Sequence, residues 1–140
     1  MNTILDNKIT LDRENHRYSL LDNPDIVFTS VTTYLDYFFE GFDGEKVAKK
    51  LIANVPKYKG RTVESLLEEW DESARYGTMV HDEIENWIKN RAEPKDLKSI
   101  NGKNWLQKYQ TKSGIEFLSE VIIYSKELKI AGTIDILAKD

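Results

Sequence analysis

Phe117-Leu118-Ser119-Glu120-Val121-Ile122-Ile123-Tyr124-Ser125-Lys126-Glu127-Leu128-Lys129-Ile130-Ala131-Gly132-Thr133-Ile134-Asp135-Ile136-Leu137 is rich in Val, Ile and Tyr on both sides of a polar centre. It reads as a β-hairpin with strands over 117–124 and 129–137. A two-residue loop at Glu127-Leu128 puts Tyr124 opposite Ala131 and Glu120 opposite Asp135. Directly paired residues share a sheet face. Two carboxylates side by side repel unless a cation lies between them or one is protonated. A register shifted by one residue would instead put them on opposite faces. Glu127-Leu128 is not a favoured two-residue turn, so both registers stay open. Asp135 is flanked by Ile134, Ile136 and Leu137, which predicts a buried strand. Carboxylates are seldom buried without a partner or a metal, so Asp135 is the stronger functional candidate and Glu120 the second.

Working back from the hairpin, Tyr76-Gly77-Thr78-Met79-Val80-His81-Asp82-Glu83-Ile84-Glu85 carries helical spacing. Residues four apart stand one above the other on a helix, so Gly77, His81 and Glu85 line one edge. A glycine there lets a backbone or a ligand come close, and His81 and Glu85 point toward one volume. A lone histidine on a helix is more often structural, so this edge gains meaning only beside the carboxylates of the hairpin.

The rest of the chain is read as follows. Lys8–Asp12 and His16–Leu20 alternate apolar and polar residues around Arg13-Glu14-Asn15, a second hairpin. Asp22–Asp25 is a turn and Ile26–Phe28 a short strand. Thr29 or Ser30 caps a helix with Val31, Tyr34, Leu35 and Phe38 on its apolar stripe, ending at Gly41. Asp43 caps a helix over 44–54, and Pro56 and Gly60 mark a loop. Thr62 caps a helical run with Leu66, Leu67, Trp70 and Ala74 inward; it bends near Tyr76-Gly77 and resumes through Trp87 and Ile88. A last helix covers 101–111, with Trp105, Leu106 and Tyr109 buried, and Gly114 ends it. The predicted layout is one domain over 1–140: a hairpin region (1–28), a helical region (29–112) and a core β-hairpin (116–138). The order implies an α+β or α/β domain. Two strands are too few to cover that helical layer, so the sheet is expected to continue beyond what these residues supply.

Composition narrows the chemistry. The 140 residues contain no cysteine, which excludes disulfides, thiolate zinc sites and an Fe–S cluster. Any metal must be held by histidine and carboxylates. No segment is long and apolar enough to span a membrane, and Met1–Asp6 lacks a signal-peptide layout, so a soluble intracellular (cytoplasmic) protein is expected. The net charge of -4 argues against simple coating of nucleic acid but not against an enzyme acting on it. Six basic residues (Lys46, Lys49, Lys50, Lys57, Lys59, Arg61) precede an acidic block from Glu64 to Glu85, and seven more lie between Lys89 and Lys112. Such runs are usually solvated helix faces. The sharper reading is a catalytic centre with a substrate track on either side.

Gly77-Thr78-x-x-His81-x-x-Ile84-Glu85, then Glu120 in a strand, then Ala131-Gly132-Thr133-Ile134-Asp135-Ile136-Leu137, resembles the PD-(D/E)XK nuclease superfamily. The nearest branch is the RecB-type and mitochondrial-exonuclease-like group, whose N-terminal segment is similar to Ser30-Val31-Thr32. The resemblance implies a restriction-endonuclease-like core, a mixed sheet flanked by helices, and cleavage of DNA, single- or double-stranded, with Mg²⁺ or Mn²⁺. It implies metal ligation by His81 and Asp135, with Glu85 and Glu120 as further acidic residues of the catalytic site. The basic residues from Lys46 to Arg61 would hold the phosphate backbone. Trp87, Trp105 and Tyr109 are more simply core residues than base-stacking ones.

One part of the pattern is missing. The superfamily's acidic-x-Lys pair would follow Asp135 on the next strand, and only Ile136-Leu137-Ala138-Lys139-Asp140 remains. Lys139 and Asp140 read as the start of a turn. The expectation is an incomplete core, inactive alone, with an exposed edge on the 129–137 strand. Three explanations stand: a fragment of a nuclease, one part of a split enzyme completed by a second chain or copy, or a non-catalytic relative that binds nucleic acid or protein.

Overall fold

The computed structural model describes residues 7–139, so Met1–Asp6 and the turn expected at Asp140 lie outside the described residues. Strands β1 (Ile9–Asp12) and β2 (Arg17–Leu20) form the first hairpin, with Ile9 opposite Leu20 and Asp12 opposite Arg17. Its turn is closed by the Asp12 carboxylate, which accepts from the backbone N–H of Glu14 and Asn15 and from the Asn15 amide.

The expected strand at Ile26–Phe28 forms two residues later, as β3 (Thr29–Ser30). Ser30 then caps helix α1 (Val31–Asp36), its Oγ accepting from the Thr33 N–H at 3.0 Å. This helix stops at Asp36 rather than Gly41. Its stripe of Val31, Tyr34, Leu35 and Phe38 is exposed, and a short helix without a packed face has little to extend it.

Helix α2 (Gly44–Asn54) is capped by Asp43 and buries Ala48. A 3-10 turn at Pro56–Tyr58 leads to α3 (Val63–Asn90), capped by Thr62. The helical run continues unbroken through Tyr76-Gly77, so α3 is one helix of 28 residues. A single helical glycine costs about 1 kcal/mol, which packing at both ends of so long a helix offsets. Ala74, expected inward, is exposed. Helix α4 (Leu97–Ser113) begins four residues before the expected Asn101 because Asp96 caps it, accepting from the Lys98 N–H at 2.8 Å. Gly114, at φ 68, closes it in the left-handed conformation that glycine adopts without strain.

Strands β4 (Glu116–Ser125) and β5 (Ile130–Lys139) are antiparallel, and β3 pairs in parallel with Ile130 and Ala131 of β5. The sheet order β3-β5-β4 makes a small mixed sheet, separate from the β1–β2 hairpin, in an α/β chain without a barrel. Lys139, expected in a turn, is the last residue of β5, opposite Glu116. Beyond Ala131, the β3 side of β5 has no strand partner among the described residues.

Two cores hold these layers. Ile9, Tyr18, Leu20 and Phe28 pack with Ala131, backed by Ile122 and Tyr124, and fix the N-terminal hairpin to the sheet. Trp87, Ile88 and Leu106 pack with Phe117 and fix α3 and α4 to it. Leu106 and Trp87 are core residues as expected. Trp105 and Tyr109 are not: they lie exposed on α4 with ring centroids 4.5 Å apart, because Leu106 alone of the three faces the core.

The α3–α4 connection is tied down by Glu83, whose carboxylate accepts from the backbone N–H of Asp96 at 3.0 Å and of Lys95 at 3.2 Å. The Asp96 N–H is the main reason that the Glu83 carboxyl is held below its usual 4.5. A depressed folded value favours the ionised form in the folded state. Its stabilisation is therefore complete above pH 4.5 and is lost as pH falls through the lower folded value. Glu83→Gln is expected to lower the melting temperature at neutral pH, and the wild-type and variant melting curves should converge on acidification. A gap between them that stays constant through the acid range would contradict this role.

Candidate metal centre

Helix α3 presents His81 and Glu85 one turn apart on one face, as i,i+4 spacing requires. The β4–β5 hairpin supplies the other half. Tyr124 pairs with Ala131, Val121 with Ile134 and Ser119 with Ile136, which leaves Glu120 opposite Asp135. The register that puts both carboxylates together is the one adopted, across a four-residue turn at Lys126–Lys129. The ladder is interrupted at the carboxylate pair itself, where Glu120 takes φ 54. A left-handed glutamate inside a strand is strained, and such strain persists only where the surroundings impose it.

The four side chains converge. His81 Nε2 lies 3.7 Å from Glu120 Oε1 and 3.6 Å from Asp135 Oδ1. These separations are too long for direct hydrogen bonds and short enough for one ion to be shared. His81, Glu85 and Glu120 offer one donor atom each, all within 4.8 Å of one another, and could hold a metal ion. The sequence reading paired His81 with Asp135 as ligands; the compact set is His81, Glu85 and Glu120, with Asp135 beside it. Asp135 is not buried as expected. Its side chain is 73% exposed, and beyond Ala131 the β3 side of β5 has no strand partner among the described residues.

Two cations already serve the acidic groups. Arg13, in the turn of the first hairpin, places Nη2 3.0 Å from Glu120 Oε2 and 3.6 Å from Glu85 Oε1. Lys89 Nζ lies 2.5 Å from Glu85 Oε1. The Lys89 hydrogen bond holds the Glu85 carboxyl below its usual range against the opposing effect of partial burial, with the charges of Lys89, Arg13 and His81 adding to it.

Beside this cluster opens a cleft of about 560 Å³. Arg13, His16 and Tyr18 of the first hairpin, Ser30 and Thr32 at the start of α1, and Glu120, Thr133 and Asp135 of the sheet are among its lining residues. The Tyr18 hydroxyl is 3.0 Å from that of Thr133, and Ser30 Oγ is 2.9 Å from Thr32 Oγ1. The sequence reading missed Arg13 and His16 as site residues. Arg13 sits 107 positions from Glu120 in the chain, and no local pattern links a turn residue to a strand so distant.

Other candidates stand apart. None of Lys46, Lys49, Lys50, Lys57, Lys59 or Arg61 lines the cleft. Lys49 pairs with Glu45 one turn away, and Arg61 pairs with Glu69 and donates to the Ser65 carbonyl. Among the described residues nothing lies within 4 Å of where a Gly77 Cβ would be, so no backbone makes the close approach there. The chain has no cysteine for an Fe–S cluster. No helix among the described residues is long and apolar enough to cross a membrane. No family model, curated protein or solved structure matches this chain.

The strain at Glu120 is testable. Left-handed backbone costs a non-glycine residue about 1–2 kcal/mol, and glycine escapes it. Glu120→Gly and Glu120→Ala both remove the carboxylate, so their difference isolates the backbone. Glu120→Gly should be the more stable by about 1 kcal/mol in denaturant unfolding. Equal stability, or a more stable alanine variant, would contradict a strain imposed at this position.

Proposed function

We propose that this chain forms the metal-binding part of a PD-(D/E)XK-type nuclease that hydrolyses phosphodiester bonds in DNA. The observation that carries the reading is the convergence of His81 and Glu85 from a helix on Glu120 and Asp135 of a hairpin, the latter two lining one cleft. Their donor set, carboxylate oxygens and one imidazole nitrogen, fits Mg²⁺ or Mn²⁺. The guanidinium of Arg13 reaching two of the carboxylates supports the fit, because the cluster already attracts a cation. Such an ion, when bound, supplies Lewis acidity for in-line hydrolysis of a phosphodiester. His81, Glu85 and Glu120 would hold it, with Asp135 beside them.

The chain's own groups would orient the substrate. With Tyr18 donating to it, the Thr133 hydroxyl keeps its own proton for a phosphate oxygen in the cleft. On α4, the Trp105–Tyr109 pair, with rings inclined at 48°, shares a stripe with Lys108 and Lys112, an arrangement suited to unpaired bases and their phosphates. The open edge of β5 is where a further strand would add, from more of the same chain or from a second chain.

A second reading is a nucleic-acid-binding or protein-interaction module that keeps this fold without the chemistry. It is favoured by the exposure of Asp135, whose side chain is 73% open to solvent and not enclosed with His81, Glu85 and Glu120. Binding therefore tests the proposal better than turnover. In fluorescence anisotropy with a labelled single-stranded DNA oligonucleotide, Mn²⁺ should tighten binding. His81→Ala and Asp135→Ala should abolish that increment and leave metal-independent binding intact. Trp105→Ala should weaken binding about tenfold with or without Mn²⁺. Affinity indifferent to Mn²⁺ and to both site substitutions would favour the binding module.

A further inference from the structure

We infer that Arg13 is a tethered counter-ion that occupies the acidic centre when no metal is bound and is displaced when a divalent cation enters. This rests on the metal-centre reading and extends it to a residue outside the ligand set.

The geometry is that of a competitor. A single guanidinium nitrogen, Arg13 Nη2, reaches both Glu120 Oε2 at 3.0 Å and Glu85 Oε1 at 3.6 Å. Glu85 and Glu120 are two of the three residues that could hold a metal ion together. Their carboxylates are only 16% and 15% exposed, so water screens them poorly and their mutual repulsion needs a cation. Arg13 is 63% exposed and stands on a hairpin turn, so its side chain can leave without unpacking anything. Guanidinium does not deprotonate in the accessible range, so pH does not empty the gap; another cation must.

Displacement also gives the released group a destination. Arg13 already lines the cleft, beside His16 and the hydroxyls of Ser30 and Thr32. Once the metal holds the carboxylates, the guanidinium faces that cleft as a donor suited to a phosphodiester oxygen. One residue thus keeps the empty centre folded and, once it is filled, adds charge where an anionic substrate would lie.

The alternative role for Arg13 has the opposite sign. A side chain that merely orients Glu120 toward the metal would strengthen metal binding, and its loss would weaken it. Calorimetric titration of Mn²⁺ into the full chain separates the two. With Arg13→Gln, Mn²⁺ should bind about three- to tenfold more tightly than to wild type. Arg13→Lys, which keeps the charge, should stay near wild type. Lys126→Gln removes the same charge from the exposed β4–β5 turn and should leave affinity unchanged. His81→Ala in the Arg13→Gln background should abolish binding. Arg13→Gln binding no tighter than wild type, or a gain matched by Lys126→Gln, would overturn the inference while leaving the metal centre in place. No Mn²⁺ binding in any form would overturn the metal centre and the inference together.

Discussion

Glu120 and Asp135 face one another across two adjacent strands, and the hairpin register gives them no way apart. Like charges on neighbouring positions repel, and a positive group beside them offsets the repulsion. Elements distant in sequence meet the pair: Arg13 of the first hairpin reaches Glu120, and His81 of α3 approaches both carboxylates. The electrostatic need of one strand pair thus links three parts of the fold at a single point. It also explains why the backbone tolerates a left-handed glutamate within β4.

Packing makes this convergence possible. The core of Ile9, Tyr18, Leu20, Phe28 and Ala131 holds the first hairpin over the sheet, and so brings Arg13 within reach of Glu120. The core of Trp87, Ile88, Leu106 and Phe117 clamps α3 to β4 less than two turns beyond His81. Each charged side chain therefore projects from an element fixed by apolar contacts close by. That is the arrangement a site needs if its groups are to stay in place without a ligand.

Much of this was legible in the sequence. Period-two alternation marked the first hairpin and Val, Ile and Tyr content the second, the Ser30, Asp43 and Thr62 caps started their helices, and the pairing of Glu120 with Asp135 followed from one register. What escaped were features that depend on what else covers a surface. Ile134 and Ile136 suggested a buried strand, yet β3 covers only two residues of β5, and Asp135 stays exposed. The apolar stripe of α1 and the Trp105–Tyr109 pair looked like core for the same reason. Arg13 escaped because a turn arginine carries no local mark of the carboxylate it will meet. At Gly77 no described residue comes within 4 Å of a would-be Cβ, so the approach by another backbone is not made there.

The central claim is that His81 ligates a divalent metal beside Glu120 and Asp135. Pulsed electron paramagnetic resonance of the Mn²⁺-loaded chain tests it most directly, because nitrogen modulation reports an imidazole bound to the ion. The chain has two histidines, so substitution assigns the signal. The account predicts modulation from one imidazole nitrogen, lost in His81→Ala and retained in His16→Ala. Bound Mn²⁺ with no nitrogen modulation, or modulation that survives His81→Ala, would contradict it.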